Sequence, residues 1–512
     1  MGNQLTWLDK AVFYEIYPQS FHDTNADGIG DINGITRKLD YIKELGCTAL
    51  WLNPCFQSPF GDAGYDVEDY YTVAPRYGTN EDLVNLFREA HKRDMHVILD
   101  LVPGHTAVTH RWFRESMKAE KNEFTDRYIW TGSVWEEPQG MGCIRGISER
   151  DGSCAVNFFS HQPALNYGFY RPDPACKWQQ PMDGEGPMAT REALKDIMRF
   201  WLKAGCDGFR VDMAGSLVKH DENGKGTIAL WQDIRQFLDK EFPEAAMISE
   251  WGEPDKSLVG GFHMDFLLHF GPSHYNDLFR CEEPYFSRRG RGTAREFVAA
   301  YRENHEKVGG KGLICIPSGN HDMDRLARSL DPEEMKIAFA FLLSMPGAPF
   351  IYYGDEIGMR YVENLASVEG GYSRTGSRSP MQWNKGLNAG FSTAPKEKLY
   401  IPQDDREDRP DAESQSADIC SLRSEVKRLI AFRQKHPAMQ SRGDITFLSD
   451  GYPLVYERTA GSQRIKVVIN PSGEKAEVPD TEGTILYKVG NAAEIKDKTL
   501  YVAGGTAVFV EE

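Results

Sequence analysis

Between about residues 11 and 353, short apolar runs alternate with amphipathic helical patterns. Strands that alternate with helices predict a parallel sheet with crossover helices. Eight strand-like runs are present, and that count favours a closed (β/α)8 TIM barrel of the α/β class over an open sheet. The runs span residues 12–14, 47–52, 96–100, 208–212, 246–250, 264–268, 313–316 and 350–353.

The distances along the chain between strand ends predict an inserted domain. One βα unit takes ~30 residues or slightly more, and the interval from the third run to the fourth is far longer than that. Residues 105–180 are rich in Gly, Trp and polar residues and show little helical period. We therefore expect an inserted domain at 105–180, with the barrel built from residues 1–104 and 181–442.

The pattern changes again near residue 443. From there to residue 512, β-type segments are separated by turn signals, which predicts a small all-β C-terminal domain. The stretch 396–418 just before it is polar and charged, and composition alone predicts a flexible linker there.

Charge and cysteine content exclude several classes of function. The 512 residues carry 59 basic and 76 acidic side chains, a net charge of −17, and an acidic surface disfavours binding to nucleic acid or anionic membranes. No apolar run approaches the ~18 residues of a membrane helix. Nine dispersed cysteines without a C-x-x-C pair, and a start without a secretory pattern, predict reduced buried thiols and a cytoplasmic protein.

Ionisable residues stand at the ends of four predicted strands. Barrel enzymes place their catalytic side chains at the carboxyl ends of the strands. A single Asp in such a position more often caps a helix or a turn, but four carboxylates with two His and one Arg at one barrel face predict an active site. These residues are Asp100 and His105, Arg210 and Asp212, Glu250, and Asn320-His321-Asp322.

This set of side chains suits glycoside hydrolysis through a covalent intermediate. That reaction needs a nucleophilic carboxylate and a carboxylic acid ~5–5.5 Å apart. A further carboxylate and neighbouring His groups can stabilise the oxocarbenium-like transition state. Arg210 lies two residues before Asp212 on the same strand face, so we expect it to keep Asp212 ionised and nucleophilic.

The same residues resemble the conserved regions of the alpha-amylase superfamily (glycoside hydrolase family 13), especially its oligo-1,6-glucosidase and alpha-glucosidase branch. Residues 208–212 (GFRVD) are similar to the nucleophile strand, 249–251 (SEW) to the acid/base strand and 320–322 (NHD) to the stabiliser motif. The resemblance implies Asp212 as the nucleophile, Glu250 as the general acid/base and Asp322 as the third carboxylate.

The resemblance also implies a set of sugar contacts. In Gly64-Tyr65-Asp66, the Tyr would stack on the terminal glucose and the Asp would hold the chain end. The stretch 396–418 would be an active-site rim in such a protein, not a linker. The implied substrate-binding residues are Tyr65, Asp66, His105, Phe159, Gln162, Arg210, His321 and Arg378.

Some positions depart from the family pattern. Gly104 precedes His105 where relatives usually carry Asn, and Met213 follows the nucleophile where relatives carry Val or a small residue. Met213 is long and flexible, so Met213→Val is expected to shift the linkage preference. His263 and His269 flank the sixth strand as ordinary packed or surface residues, and His263 is the one that could border the site.

A separate motif predicts a structural calcium ion. Oxygen ligands at alternate positions, with Gly28 at the sixth, match a calcium loop, although Gly34 stands where an EF-hand has its bidentate Glu. The alternative is a loop of Asx-turns without metal. The glucosidase branch carries a similar calcium loop. The predicted ligands are Asp23, Asn25, Asp27, the Ile29 carbonyl and Asp31.

The expected function is that of a retaining, exo-acting α-glucosidase. The inserted domain and the loop after the eighth strand should close one end of the cleft, so that single glucose units leave short α-1,4- or α-1,6-linked gluco-oligosaccharides. A transglycosylase or isomerase of the same family, such as a trehalose synthase, is the main alternative. An endo-acting α-amylase and a non-catalytic sugar-binding relative are weaker ones, since the latter class usually loses triad carboxylates.

Overall fold

In a computed structural model that describes residues 5–512, eight parallel strands close into a barrel. The first four residues of the predicted barrel segment 1–104 lie outside the described part of the chain. The strands are β1 Phe13–Ile16, β2 Ala49–Leu52, β3 His96–Leu101, β4 Gly208–Val211, β5 Ala246–Ser249, β6 Met264–Phe266, β7 Leu313–Cys315 and β8 Phe350–Tyr352.

Each strand from β1 to β6 pairs in parallel with the next one along the chain, and β1 also pairs with β8. A parallel bridge between Pro317 and Phe350 joins β7 to β8 and completes the ring. The predicted (β/α)8 barrel is therefore confirmed. Aromatic rings fill its interior: Phe13 stacks on Phe350 with ring centroids 4.3 Å apart, and Trp51 packs against Phe266.

The helices form the outer layer. Helix α3 (Asn80–His91) illustrates how the sequence places a helix in this layer. A capping box between Thr79 and Asp82 starts the helix, and its buried Leu83, Leu86 and Phe87 recur at helical spacing on the face that meets the barrel. The helices are α1 Ile32–Arg37, α2 Leu39–Leu45, α3 Asn80–His91, α4 Arg111–Ser116, α5 Glu185–Ala204, α6 Lys225–Glu241, α7 Pro254–Val259, α8 Tyr275–Phe279, α9 Arg295–Val308, α10 Pro332–Leu342, α11 Ala412–Ala417 and α12 Leu422–Lys435.

The long excursion between β3 and α5 lies over the carboxyl end of the barrel. It holds α4 and a small hairpin of Cys143–Ile144 with Cys154–Ala155. A bridge between His105 and Ala164 attaches it to the barrel mouth. A second hairpin, Phe56–Gln57 with Asp69–Val73, follows β2. These two excursions bring loop residues above the strand ends.

The C-terminal region is all β, as predicted. A five-stranded antiparallel sheet has the order β9-β10-β11-β16-β13, and a three-stranded sheet has the order β12-β15-β14. Phe509 packs on Phe432 of α12, with ring centroids 5.1 Å apart, so this region rests on the barrel helices. The strands are β9 Asp444–Asp450, β10 Leu454–Ala460, β11 Gln463–Asn470, β12 Ala476–Val478, β13 Thr484–Gly490, β14 Ala493–Lys496, β15 Thr499–Val502 and β16 Thr506–Glu511.

The stretch 396–418 is neither a linker nor a rim of the catalytic pocket. Leu399 and Ile401 are buried, and residues 412–417 form α11. The Tyr400 N–H donates to the Gly28 carbonyl at 3.3 Å. The segment therefore covers the loop that follows β1, and none of its residues lines the pocket described below.

All nine cysteines are free thiols. Five of them are buried, as the sequence predicts, whereas Cys420 is exposed. No helix within residues 5–512 is long and apolar enough to cross a membrane.

Candidate active site

A cavity of about 500 Å³ opens at the carboxyl ends of the barrel strands. Asp212 directly follows β4, Glu250 directly follows β5, and Asp322 lies in the loop after β7. All three predicted catalytic carboxylates line this cavity. The parallel strands thus bring together residues that lie far apart in the sequence.

Arg210 binds three carboxylates with one guanidinium group. Its Nη1 lies 2.8 Å from Oδ1 of Asp100 and 3.1 Å from Oδ1 of Asp212, and its Nη2 lies 2.8 Å from Oε1 of Glu250. The side chain is 1% exposed. Because Asp212 and Glu250 share one planar donor, the two carboxyl groups are close neighbours, as a double displacement requires.

A backbone donor holds the other oxygen of Glu250. The N–H of Met213 donates to Oε2 of Glu250 at 3.1 Å. Met213 adopts φ 44°, a left-handed conformation that is uncommon for residues other than glycine. This conformation turns the Met213 N–H towards the acid/base and places the Met213 side chain at the pocket wall.

Asp212 retains a proton more readily than an isolated carboxyl would. Burial raises the pKa of Asp212 well above its usual range and the charge of Glu250 raises it further, whereas Arg210 lowers it. Arg210 thus acts on Asp212 in the expected direction, but this one cation is shared among three acids. Double displacement requires Asp212 in its ionised form and Glu250 in its acid form.

Asp322 carries a fixed negative charge. Its Oδ1 lies 2.5 Å from Nη1 of Arg374 and 2.9 Å from Nη2 of Arg378. Burial acts to raise the pKa of Asp322, but His321 and the two arginines hold it well below its usual range. A carboxylate that stays ionised can stabilise the positive charge that develops on a sugar ring.

Asp62 also lines the pocket, a position that was not predicted from the sequence. Gln162 donates from Nε2 to Oδ2 of Asp62 at 2.7 Å, and Nη2 of Arg374 lies 3.9 Å from its Oδ1. Burial raises the pKa of Asp62 to about 6. The feature of the sequence that could have indicated Asp62 is its place three residues before Tyr65, in the same glycine-containing turn.

Asp66, a predicted sugar contact, does not line the pocket. Its fully buried carboxylate accepts hydrogen bonds from the Ser58 hydroxyl at 2.9 Å, the Gly61 N–H at 2.7 Å and the Asp62 N–H at 3.0 Å. Asp66 therefore shapes the turn that presents Asp62.

Three predicted ring residues lie together at the pocket floor. The Tyr65 hydroxyl is 2.9 Å from Oδ2 of Asp100 and 2.7 Å from Nε2 of His321. Nε2 of His105 lies 3.1 Å from the Tyr65 carbonyl, and burial lowers the pKa of His105 to about 3, so the ring is neutral. Tyr65 and His105 line the cavity, whereas His321 supports them from behind.

Two aromatic residues that line the pocket, Phe158 and Phe270, are 57% and 38% exposed. Phe159 was predicted to contact the substrate, but it stacks on His161, with ring centroids 5.5 Å apart. Its neighbour Phe158 lines the pocket instead. His269, not His263, lines the pocket. Four further residues that line the pocket were not predicted from the sequence: Gly215, Ser216, Trp251 and Glu253.

The predicted calcium loop is closed by its own hydrogen bonds. Asp23 accepts two backbone N–H groups of the loop through Oδ1, at 2.8 and 2.9 Å, and Asp27 accepts the Ile29 N–H at 2.9 Å. Asp31 caps α1. Within residues 5–512, no three His, Cys, Asp or Glu side chains form a metal-binding group. The loop oxygens thus have partners without an ion, and calcium stays a prediction.

Comparisons with known proteins agree with this geometry. A family model for the catalytic domain of alpha amylase matches residues 15–442. The chain is 32% identical over 491 residues to the trehalose synthase/amylase TreS of Mycolicibacterium smegmatis, covering 84% of this chain and 77% of that protein. It is 31% identical over 558 residues to the oligo-1,6-glucosidase of Parageobacillus thermoglucosidasius, covering 94% and 93%.

A solved structure extends the match to three dimensions. The trehalose-6-phosphate hydrolase of Bacillus licheniformis has a TM-score of 0.81 at 25% identity, over 99% of both chains. With eight barrel strands, three carboxylates at their ends and a family match over most of its length, this chain is an enzyme of the alpha-amylase family (glycoside hydrolase family 13).

Proposed function

We propose that the protein is a retaining, exo-acting α-glucosidase that removes single glucose units from short α-1,4- or α-1,6-linked gluco-oligosaccharides. The observation that carries this proposal is the placement of Asp212 and Glu250 on one guanidinium group, in a pocket of about 500 Å³ that Asp62 and Arg374 also line.

The proposed reaction has two displacements. A carboxylate oxygen of Asp212 attacks the anomeric carbon, the glycosidic C–O bond breaks, and Glu250 gives its proton to the departing oxygen. Glu250, now ionised, then takes a proton from water, whose oxygen attacks the same carbon and releases Asp212. Two inversions leave the α-configuration unchanged. The fixed charge of Asp322 favours the oxocarbenium-like transition states.

The size of the pocket supports action at a chain end. Its volume of about 500 Å³ suits a short saccharide better than an internal stretch of a long polymer. Asp62 and Arg374 line the pocket, with Nη2 of Arg374 3.9 Å from Oδ1 of Asp62. Phe158 and Phe270 also line it and are partly exposed, so they are candidates to contact a leaving group.

Product analysis tests the proposal. The protein is incubated with maltose, isomaltose, trehalose, sucrose and starch, and proton NMR records the first product before mutarotation. We expect glucose as its α-anomer from at least one of the two glucose disaccharides named first. Asp212→Asn and Glu250→Gln should each lower kcat by orders of magnitude with an unchanged circular dichroism spectrum. A β-anomer, or starch cut internally as fast as maltose is cleaved, would overturn the proposal.

A trehalose synthase-like isomerase is the second candidate, and the similarity to trehalose synthases favours it. An isomerase must hold the released glucose until it attacks the covalent intermediate, which requires that water be kept out. The same maltose incubation separates the two functions, since hydrolysis gives only glucose whereas isomerisation gives trehalose. The exposed aromatic residues at the pocket mouth are why we place hydrolysis first.

A further inference from the structure

Four buried side chains, of which Tyr65 lines the pocket, form one continuous series of short contacts. The Tyr65 hydroxyl lies 2.9 Å from Oδ2 of Asp100 and 2.7 Å from Nε2 of His321. On the other side of the ring, Nδ1 of His321 lies 2.8 Å from Oε1 of Glu15 on β1. All four side chains are at least nine-tenths buried, and Asp100 and Glu15 are the two ends.

The three contacts need three protons, one for each. A tyrosine hydroxyl supplies one proton and a neutral imidazole supplies one more, whereas two ionised carboxylates supply none. These four side chains therefore hold one proton more than a tyrosine, a neutral histidine and two ionised carboxylates supply. That proton resides on Asp100, on His321 as an imidazolium, or on Glu15.

Burial raises the pKa of Asp100, but its contacts disfavour it as the place for the extra proton. Its Oδ1 accepts from Arg210 at 2.8 Å, and its Oδ2 accepts from the Trp51 indole at 3.1 Å as well as from Tyr65. Three donors, one of them a cation, stabilise the ionised form. The Tyr65 hydroxyl therefore donates to Asp100, and the hydroxyl oxygen must accept the Nε2 proton of His321.

Oε1 of Glu15 accepts the Asn53 Nδ2–H at 3.2 Å and the His321 backbone N–H at 3.4 Å, but burial and the state of its other oxygen favour the neutral acid. Its Oε2 is buried and has no hydrogen-bond partner within residues 5–512, a costly position for half of an ionised carboxylate. The groups that face it from neighbouring elements are Asn53 after β2, Asp100 on β3, Arg210 on β4, Tyr352 on β8 and His321. Burial raises the pKa of Glu15 well above its usual range, and burial lowers that of His321.

We propose that Glu15 is a positioning residue of this active site, held as the neutral carboxylic acid, and that it donates its proton to Nδ1 of His321. His321 then carries a single proton, at Nε2, and gives it to the Tyr65 oxygen. All three hydrogen bonds run in one direction, from Glu15 to Asp100. The Tyr65 hydroxyl is thereby fully engaged, so Tyr65 offers a substrate its ring and not its oxygen.

Neutron diffraction of wild-type crystals grown in D2O tests the proposal directly and does not depend on which glycoside the enzyme cleaves. We expect deuterium on Oε1 of Glu15 and on Nε2 of His321, with none on Nδ1. Deuterium on Nδ1 would show an ionised Glu15 and overturn the proposal. This result is separate from the proposed function, which the product analysis tests.

The substitution Glu15→Gln provides the kinetic test, because an amide N–H can replace the acid O–H without introducing or removing a charge. We expect kcat/KM within about threefold of wild type and an acid limb of its pH profile that does not move. Glu15→Ala, which removes the donor, should raise KM about tenfold with a smaller change in kcat. The measurements use whichever disaccharide the family activity cleaves fastest.

A matched control is Glu356→Gln, since Glu356 is equally buried but bonds to Tyr14 and Tyr41 outside the chain of contacts. Its acid limb should also stay in place. If Glu15 were ionised, Glu15→Gln would remove a negative charge near the Asp212/Glu250 pair. Their pKa values would fall and the acid limb would move to lower pH. That shift, or a tenfold loss of kcat in Glu15→Gln, would contradict the proposal.

Discussion

The amide nitrogen of Asn157 lies 2.6 Å from the position that a β-carbon on Gly104 would take. The same nitrogen lies 3.0 Å from Nδ1 of His105. In the family pattern, the residue before this His is usually Asn. Here the inserted domain supplies the amide from Asn157, and the absence of a side chain at Gly104 leaves room for it.

This relationship predicts the outcome of exchanging the two residues. Gly104→Asn alone should lower kcat/KM about tenfold, because two side chains cannot occupy one space and a buried hydrogen bond is worth about 1–3 kcal/mol when a partner is left unpaired. Adding Asn157→Gly should recover much of the loss. Steady-state kinetics of both single variants and the double variant give the coupling. Additive losses in the double variant would show that the residues do not substitute for each other.

Asp62 predicts a pH dependence of KM. Its pKa is raised to about 6 by burial, so the carboxyl gains its charge as the pH rises from 5 to 7. An ionised carboxylate is the stronger acceptor for sugar hydroxyls, and KM should therefore fall severalfold over this range. Asp62→Asn should have a higher KM without that step. A step of equal size in the variant would assign it to another group.

The same raised pKa predicts an effect on stability with a definite sign. An acid whose pKa is higher in the folded state loses stability as the pH rises from its unfolded pKa, about 4, to its folded pKa. Asp62→Asn avoids that loss. Thermal unfolding should find the variant gaining on wild type between pH 4 and pH 7. No relative gain over this range would contradict the assignment.

Met213 predicts which substitutions can probe linkage preference. Its φ of 44° is compatible with an unbranched side chain, whereas a β-branched one is strained there by about 1–3 kcal/mol. Met213→Val should therefore lose stability and displace the N–H that holds Glu250, so it is a poor test. Met213→Ala should keep kcat within about tenfold and change the maltose-to-isomaltose rate ratio. An unchanged ratio would show that the side chain does not contact the leaving sugar.

The calcium prediction is tested by stability. If the loop of Asp23, Asn25, Asp27, Ile29 and Asp31 holds calcium, exhaustive chelation should lower the Tm by several degrees, with little change in kcat at temperatures where the protein stays folded. Asp27→Asn, which retains hydrogen-bonding atoms but loses a charge, should abolish the effect of added calcium. No metal by elemental analysis and an unchanged Tm would leave a loop held by Asx-turns alone.

The fold and the meeting of the three carboxylates in one pocket could be predicted because they depend on short-range patterns. Strand-like runs mark where the barrel strands lie, and parallel strands put their carboxyl ends at one face. Asp212 and Glu250 immediately follow such runs, so their meeting needed no knowledge of loop shape.

Loop residues could not be placed in the same way. Asp62 and Asp66 belong to one turn, and only its folded shape shows that Asp62 faces the sugar site while Asp66 bonds to the turn backbone. Phe158 and Phe159 are neighbours that point differently, and no repeating period fixes their direction. Glu15 could have been recognised in the sequence as an unusual residue, because it is the one charged residue within β1.

The sharing of Arg210 has a consequence for how this enzyme can change. Asp212 and Glu250 belong to different strands, yet both touch nitrogens of one planar group whose size is fixed by covalent bonds. The guanidinium group therefore holds the two carboxyl groups at a fixed spacing, even when β4 and β5 shift slightly relative to each other. A lysine, with a single nitrogen, could not do the same. The loops around the pocket could change in sequence to accept another leaving group, while the carboxyl groups of Asp212 and Glu250 kept the same spacing.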